Sequence, residues 1–141
     1  MLLKSPESAA EQQLFHGTRF TTPEDLYRSE YGFDFRLASP NARWGAGTYF
    51  TSSTAYSDRY SFKIPDTSHK QILIAKVLTG QSCPWPQQRT LTKPPPKPDV
   101  VSSKSSNECY DSVYGRISDS DIYVTYDHEK VYPAYVVTYT S

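Results

Sequence analysis

Leu14-Phe15-His16-Gly17-Thr18 is the stretch on which the reading of this chain turns. A short apolar run ends on a histidine, a glycine and a hydroxyl residue, which reads as a strand entering a tight turn. Just downstream stands Thr22-Pro23-Glu24-Asp25. Thr at the N-cap, Pro at the first helical position and acids in the first turn predict a helix start. Gly32 is the expected end of that helix. Phe33 to Trp44 has no clear period and reads as a loop, and Gly45-Ala46-Gly47 lets the backbone turn or approach something closely. Thr48-Tyr49-Phe50 reads as a short strand, and Ser52-Ser53 as the cap of a second helix carrying Tyr56, Ser57 and Tyr60. Gln71 to Thr79 (QILIAKVLT) is the best central strand.

Farther along, residues 83–107 change character. Pro84, Pro86, Pro94-Pro95-Pro96 and Pro98 mix with Ser and Lys, which predicts an irregular surface loop with polyproline character. Two closing strands are expected near Asp121–Tyr126 and Ala134–Tyr139. The short, turn-prone connection Asp127–Pro133 suggests that they pair antiparallel. The picture is α+β, with two short helices early and mostly antiparallel strands after them.

At 141 residues the chain fits one domain with one core. Fifteen acidic and fifteen basic residues cancel, so nothing drives the whole chain toward nucleic acid, although a local patch stays open. Cys83 and Cys109 have neither CxxC spacing nor a nearby histidine pair, so no metal is expected. The first thirteen residues, read as an N-terminal extension, carry Lys4, Glu7 and Glu11 and lack the apolar run of a signal peptide. No stretch approaches the ~20 apolar residues of a membrane span. A soluble, intracellular setting, cytoplasmic or nuclear and without membrane attachment, is the expectation.

Three pieces converge on one candidate site: His16-Gly17-Thr18, Gly45 through Phe50, and Ser57-Asp58-Arg59-Tyr60. Ser57 and Tyr60 are three apart and share a helix face. Tyr60 folded back over Tyr49 would leave a slot for a planar, positively charged heteroaromatic such as nicotinamide. Gly17 offers a bare backbone edge to a carboxamide, Ser57 a hydroxyl to the same group, and His16 a ring nitrogen to a ribose. Each piece alone has a plainer explanation. A single His at a strand end is more often structural, Tyr56 and Tyr60 at i and i+4 are more often core, and GxG occurs in many turns. Specificity comes from the pieces jointly, in this order.

LFHGT, GAGTYF and AYSDRY together resemble the catalytic domain of the poly(ADP-ribose) polymerase family. FDFR (Phe33–Arg36), IAKVLTG (Ile74–Gly80), KPPPKP (Lys93–Pro98), CYDSV (Cys109–Val113) and VYPAYVVTY (Val131–Tyr139) resemble its mono-ADP-ribosylating branch. The resemblance makes residues 14–141 a minimal catalytic domain and implies an ADP-ribosyltransferase fold of two packed, mainly antiparallel sheets. It implies NAD+ as co-substrate, bound by His16, Gly17, Thr18, Arg36, Tyr49, Phe50, Ser57 and Tyr60. The family's His-Tyr-Glu triad maps to His16, Tyr49 and Ile122, so the acidic member is replaced by an aliphatic one. Asp121 is adjacent, but in a strand it should face the other way. Ile122 is the pattern of the mono-transferring members, which implies one ADP-ribose per site on a protein acceptor, with Asp or Glu side chains favoured, or on the chain itself. A monomer is expected. Two alternatives stand beside this reading: a catalytically weak module that binds NAD+ or ADP-ribose, and an RNA 2′-phosphotransferase or transferase onto nucleic acid.

Overall fold

The computed structural model describes residues 11–19, 21–27, 43–45, 47–96, 109–117 and 119–140. The two early helices start where the caps place them. Helix α1 (Pro23–Tyr27) is capped by Thr22, whose Oγ1 accepts from Asp25 N at 3.1 Å. Its expected end at Gly32 lies outside the described residues. Helix α2 (Thr54–Asp58) is capped by Ser53, whose Oγ accepts from Tyr56 N at 3.1 Å.

Strand β1 (Gln12–His16) pairs antiparallel with β4 (His69–Val77), from Gln12↔Val77 to His16↔Leu73. On its other side β4 pairs along its length with β8 (Val131–Thr140), and the short β3 (Phe62–Lys63) also pairs with β4. The run QILIAKV is thus central, and Ile72, Leu73, Ala75 and Val77 are buried in it. The other half of the sheet runs β2 (Thr48–Thr51), β7 (Ser120–Thr125), β6 (Ser112–Ile117) and β5 (Ser82–Pro84). Among the described residues every strand pairing is antiparallel except β5–β6, which is parallel.

The α+β class with mainly antiparallel strands is therefore as expected. The two expected sheets are joined: one register pair, Phe15↔Thr51, links β1 to β2 and makes the ladder continuous. The halves still share a core. Leu14, Leu73, Ala75 and Val77 from one half pack with Phe50 of the other and with Leu26 of α1, and Tyr123 of β7 joins them. A second cluster holds Trp44, Val113, Ile122 and Val124, with Tyr49 and Tyr126 packed against it.

Two expectations are corrected. The closing strands do not form a hairpin. Strand β7 pairs with β2 and β6, whereas β8 crosses to β4. A 3-10 turn over His128–Lys130 makes the crossing, and Leu78 N donates to Lys130 O at 2.8 Å to bring the chain alongside β4. The proline-rich stretch is also not wholly irregular, because Ser82–Pro84 forms β5 and Pro96 bridges to Cys109. Strand β8 is an edge strand with Tyr132 and Tyr135 exposed, and Pro133 with the irregularity beside it interrupts its register with β4.

Candidate active site

His16 closes β1, and its Nδ1 lies 2.6 Å from the backbone oxygen of Tyr49. A carbonyl only accepts, so Nδ1 carries the proton and, in the neutral ring, Nε2 is an acceptor. Burial pulls the His16 pKa below its ordinary value, opposed by the bond to Tyr49, so the ring is neutral at pH 7. The ring rests against Phe50 with centroids 5.3 Å apart. Phe50, named above among the NAD-binding residues, is a core side chain that is 1% exposed and backs the histidine.

Tyr49 is fixed at its tip. Its hydroxyl accepts from Trp44 N at 2.7 Å and donates to Gly45 O at 3.0 Å, while its ring leans on the Trp44 indole at 6.3 Å. Burial pushes the hydroxyl pKa up to about 12. Trp44 is held in turn: its indole N–H donates to Trp85 O at 2.9 Å, and its backbone oxygen accepts from the Tyr126 hydroxyl. The indole lies on Gly115 of β6, where an added Cβ would stand 2.1 Å from the ring. Trp44, Gly115 and Tyr126 were not singled out from the sequence. The available signal was an indole placed directly before the glycine turn.

Gly17 meets the turn that follows α2. A Cβ on Gly17 would lie 2.5 Å from Tyr60 O, and Arg19, at φ 60°, donates its N–H to the same oxygen at 2.7 Å. Tyr60 N donates back to Ser57 O at 3.0 Å. Ser57 is buried, and among the described residues its Oγ has no hydrogen-bond partner. An unmet buried hydroxyl costs about 1–3 kcal/mol, so this atom, on the residue whose backbone oxygen accepts from Tyr60 N, suits a ligand amide. The Thr18 hydroxyl is engaged by Thr21 O, and Arg36 lies outside the described residues. Among the described residues Tyr60 packs on Tyr56 at 5.4 Å, and no ring contact joins Tyr60 to Tyr49.

Ile122 is 1% exposed and stands opposite Thr51 of β2 and Gly115 of β6. Strand alternation puts it on the face that carries Val124 and Tyr49, packed with Trp44 and Val113. Asp121 faces away, as expected. Its Oδ1 accepts from the Tyr114 hydroxyl at 2.7 Å and from Arg116 at 2.8 Å. No carboxylate therefore enters from β7. Among the described residues no group of three or more His, Cys, Asp or Glu could hold a metal ion, and no helix is long and apolar enough to cross a membrane.

The family model of the poly(ADP-ribose) polymerase catalytic domain matches residues 3–141. The chain belongs to this family. Human protein mono-ADP-ribosyltransferase PARP12 is 33% identical over 132 residues, which cover 93% of this chain and 17% of that protein. A probable poly [ADP-ribose] polymerase of Dictyostelium discoideum is 32% identical over 130 residues, 92% of this chain and 34% of its own length. Human protein mono-ADP-ribosyltransferase PARP14 is 29% identical over 138 residues, 96% of this chain and 7% of its own. The chain thus spans well under half of these relatives.

Within this poly(ADP-ribose) polymerase domain, the orphaned hydroxyl makes a direct test of where nicotinamide sits. Ser57→Ala deletes an oxygen that bonds to nothing among the described residues, so the melting temperature is expected to hold or rise. Nicotinamide affinity is expected to fall by about threefold to tenfold, the worth of one hydrogen bond. Calorimetric titration with nicotinamide, beside a thermal melt, reads both. Unchanged affinity would move the carboxamide away from Ser57.

Proposed function

We propose that this domain transfers single ADP-ribose units from NAD+ to a protein acceptor and releases nicotinamide. The observation that supports the reading is Ile122: the residue assigned here to the third triad position is aliphatic and buried in the cluster against which Tyr49 packs, and the Tyr49 hydroxyl is tied to Trp44 N and Gly45 O. The match over residues 3–141 favours this chemistry over RNA 2′-phosphotransfer.

In this reading each residue has a stated task. The Gly17 backbone and Ser57 Oγ bind the nicotinamide carboxamide, and the rings of Tyr49 and Tyr60 flank the pyridinium. Nε2 of neutral His16 accepts from a ribose hydroxyl. The bond between nicotinamide and ribose C1′ breaks with its electron pair leaving on the nicotinamide nitrogen, and oxocarbenium character builds on the ribose. A glutamate at position 122 could stabilise that charge or polarise an acceptor hydroxyl; Ile122 does neither. The acceptor must bring its own charge, which favours an Asp or Glu carboxylate on a partner protein or on this chain. The carboxylate oxygen bonds to C1′, giving an ester with no proton to move. The domain works as a monomer in an intracellular setting.

Incubation with labelled NAD+ is expected to give one discrete mass increment per modified side chain, read by gel and by mass spectrometry. Hydroxylamine should release it from a carboxylate ester. A ladder of high-mass polymer would overturn the mono-transfer reading. Stabilisation by NAD+ in a thermal melt without labelling would instead make the domain a binding module.

A further inference from the structure

Ser57 and Tyr60 must be held to a fraction of an ångström, yet Ser57 sits on a five-residue helix and Tyr60 just beyond its end. So short a helix does not hold itself; its position comes from tertiary ties. The Ser53 cap closes its start only locally, whereas past its end the Arg19–Tyr60 bond against Gly17 ties it to the chain leaving β1. A second tie comes from the residue next to Ser57. Asp58 Oδ1 accepts from the Tyr139 hydroxyl at 2.5 Å and faces Lys70 Nζ at 3.4 Å. Lys70 and Tyr139 are register partners across β4 and β8, so both groups reach Asp58 from one side of the sheet. The Tyr139 bond, aided by Lys70 and opposed by partial burial, holds the Asp58 carboxyl below its ordinary range.

We propose that Asp58, Tyr139 and Lys70 are positioning residues for the nicotinamide end of the site. This rests on the function proposed above. The three dock the Ser57–Tyr60 turn onto the β4–β8 edge, while Gly17 and Arg19 hold it from the β1 side. Between these two supports, Ser57 Oγ and the Tyr60 ring have one position. With the Asp58 tie cut, the turn keeps its contact with β1 and pivots about it. None of the three residues is assigned to the ligand, so the effect falls on the geometry of Ser57 and Tyr60. The final strand is thereby part of the binding site although no ligand contact is assigned to it.

The test uses the whole chain with nicotinamide and ADP-ribose as separate probes, in calorimetric titration beside a thermal melt. Tyr139→Phe removes one oxygen and keeps the ring. It is expected to weaken nicotinamide about tenfold, the scale of a charge-assisted bond whose loss misplaces a binding group. ADP-ribose, which lacks the nicotinamide ring, should bind unchanged. Asp58→Ala should behave likewise, and Asp58→Asn, which keeps an acceptor for Tyr139, should recover most of the loss. In steady state the KM for NAD+ should rise more than kcat falls. Equal weakening of both probes would overturn the proposal and make the contact one of general stability. So would unchanged nicotinamide affinity in Tyr139→Phe and Asp58→Ala. Failure of the wild-type chain to bind nicotinamide at all would overturn the proposed function itself and this inference with it.

Discussion

Gly17→Ala is expected to lose nicotinamide binding and ADP-ribose transfer together, with only moderate loss of the fold. The added methyl would stand 2.5 Å from Tyr60 O, 2.6 Å from Tyr60 C and 2.7 Å from Tyr60 Cβ. Two of these are backbone atoms, so no side-chain rotation relieves the clash. The turn must move away by about an ångström, and the Arg19–Tyr60 bond two residues on resists it. Overpacking of this kind costs about 1–3 kcal/mol of stability, whereas an ångström of misplacement at a reacting centre costs on the order of a hundredfold in rate. A melt that drops by several degrees beside a transfer rate near background is the expected pair of results. Wild-type transfer rates in Gly17→Ala would remove Gly17 and the Tyr60 turn from the site.

What the sequence disclosed and what it hid have separate physical causes. Local signals read well: the Thr22 and Ser53 caps, the buried run of β4, and the strand that ends at His16 depend on neighbours within a few residues. Strand β6 escaped because SVYGRI carries Gly115 at its centre, and an interior glycine argues against a strand. That glycine is there because the Trp44 ring lies on it, a contact across about seventy residues that no local window contains. The partners of β7 and β8 were misassigned for a related reason. A short connection favours a hairpin, but the unpaired edge of β4 takes β8 and the edge of β2 takes β7. In the site, the residue types at His16, Gly17, Tyr49, Ser57 and Tyr60 were visible in sequence order. The ties that hold them were not. Tyr126 on the Trp44 carbonyl, and Tyr139 on Asp58, are pairings at long range between residues that otherwise read as core or surface, while Trp44 reaches the Tyr49 hydroxyl from only five residues away, through a turn whose shape no residue pattern gives.

Ile122→Glu tests the remaining position, and packing makes its effects opposed in pH. Ile122 is enclosed by Trp44, Val113 and Val124, so a carboxyl there enters an apolar cluster. The expected cost is roughly 2–4 kcal/mol, from lost packing and a poorly solvated polar group. Desolvation raises the pKa of the new glutamate above the ordinary value near ~4.3. A carboxyl raised in the folded state favours folding while it is protonated. The stability deficit relative to wild type should therefore widen as pH rises from about 4 through the raised value. Hydrolysis should run the other way. Only the ionised form can hold the ribose 2′-hydroxyl and activate water, so NAD+ consumption without an acceptor should climb as stability falls. Products should still carry single increments, because elongation also needs a seat for an acceptor ribose, which one carboxylate does not build. Nicotinamide release and thermal melts at several pH values read the two trends, and mass spectrometry reads the product. Hydrolysis unchanged at every pH, with the fold intact, would place residue 122 outside the reacting centre. Polymer from the variant would mean that this single position decides between one unit and many.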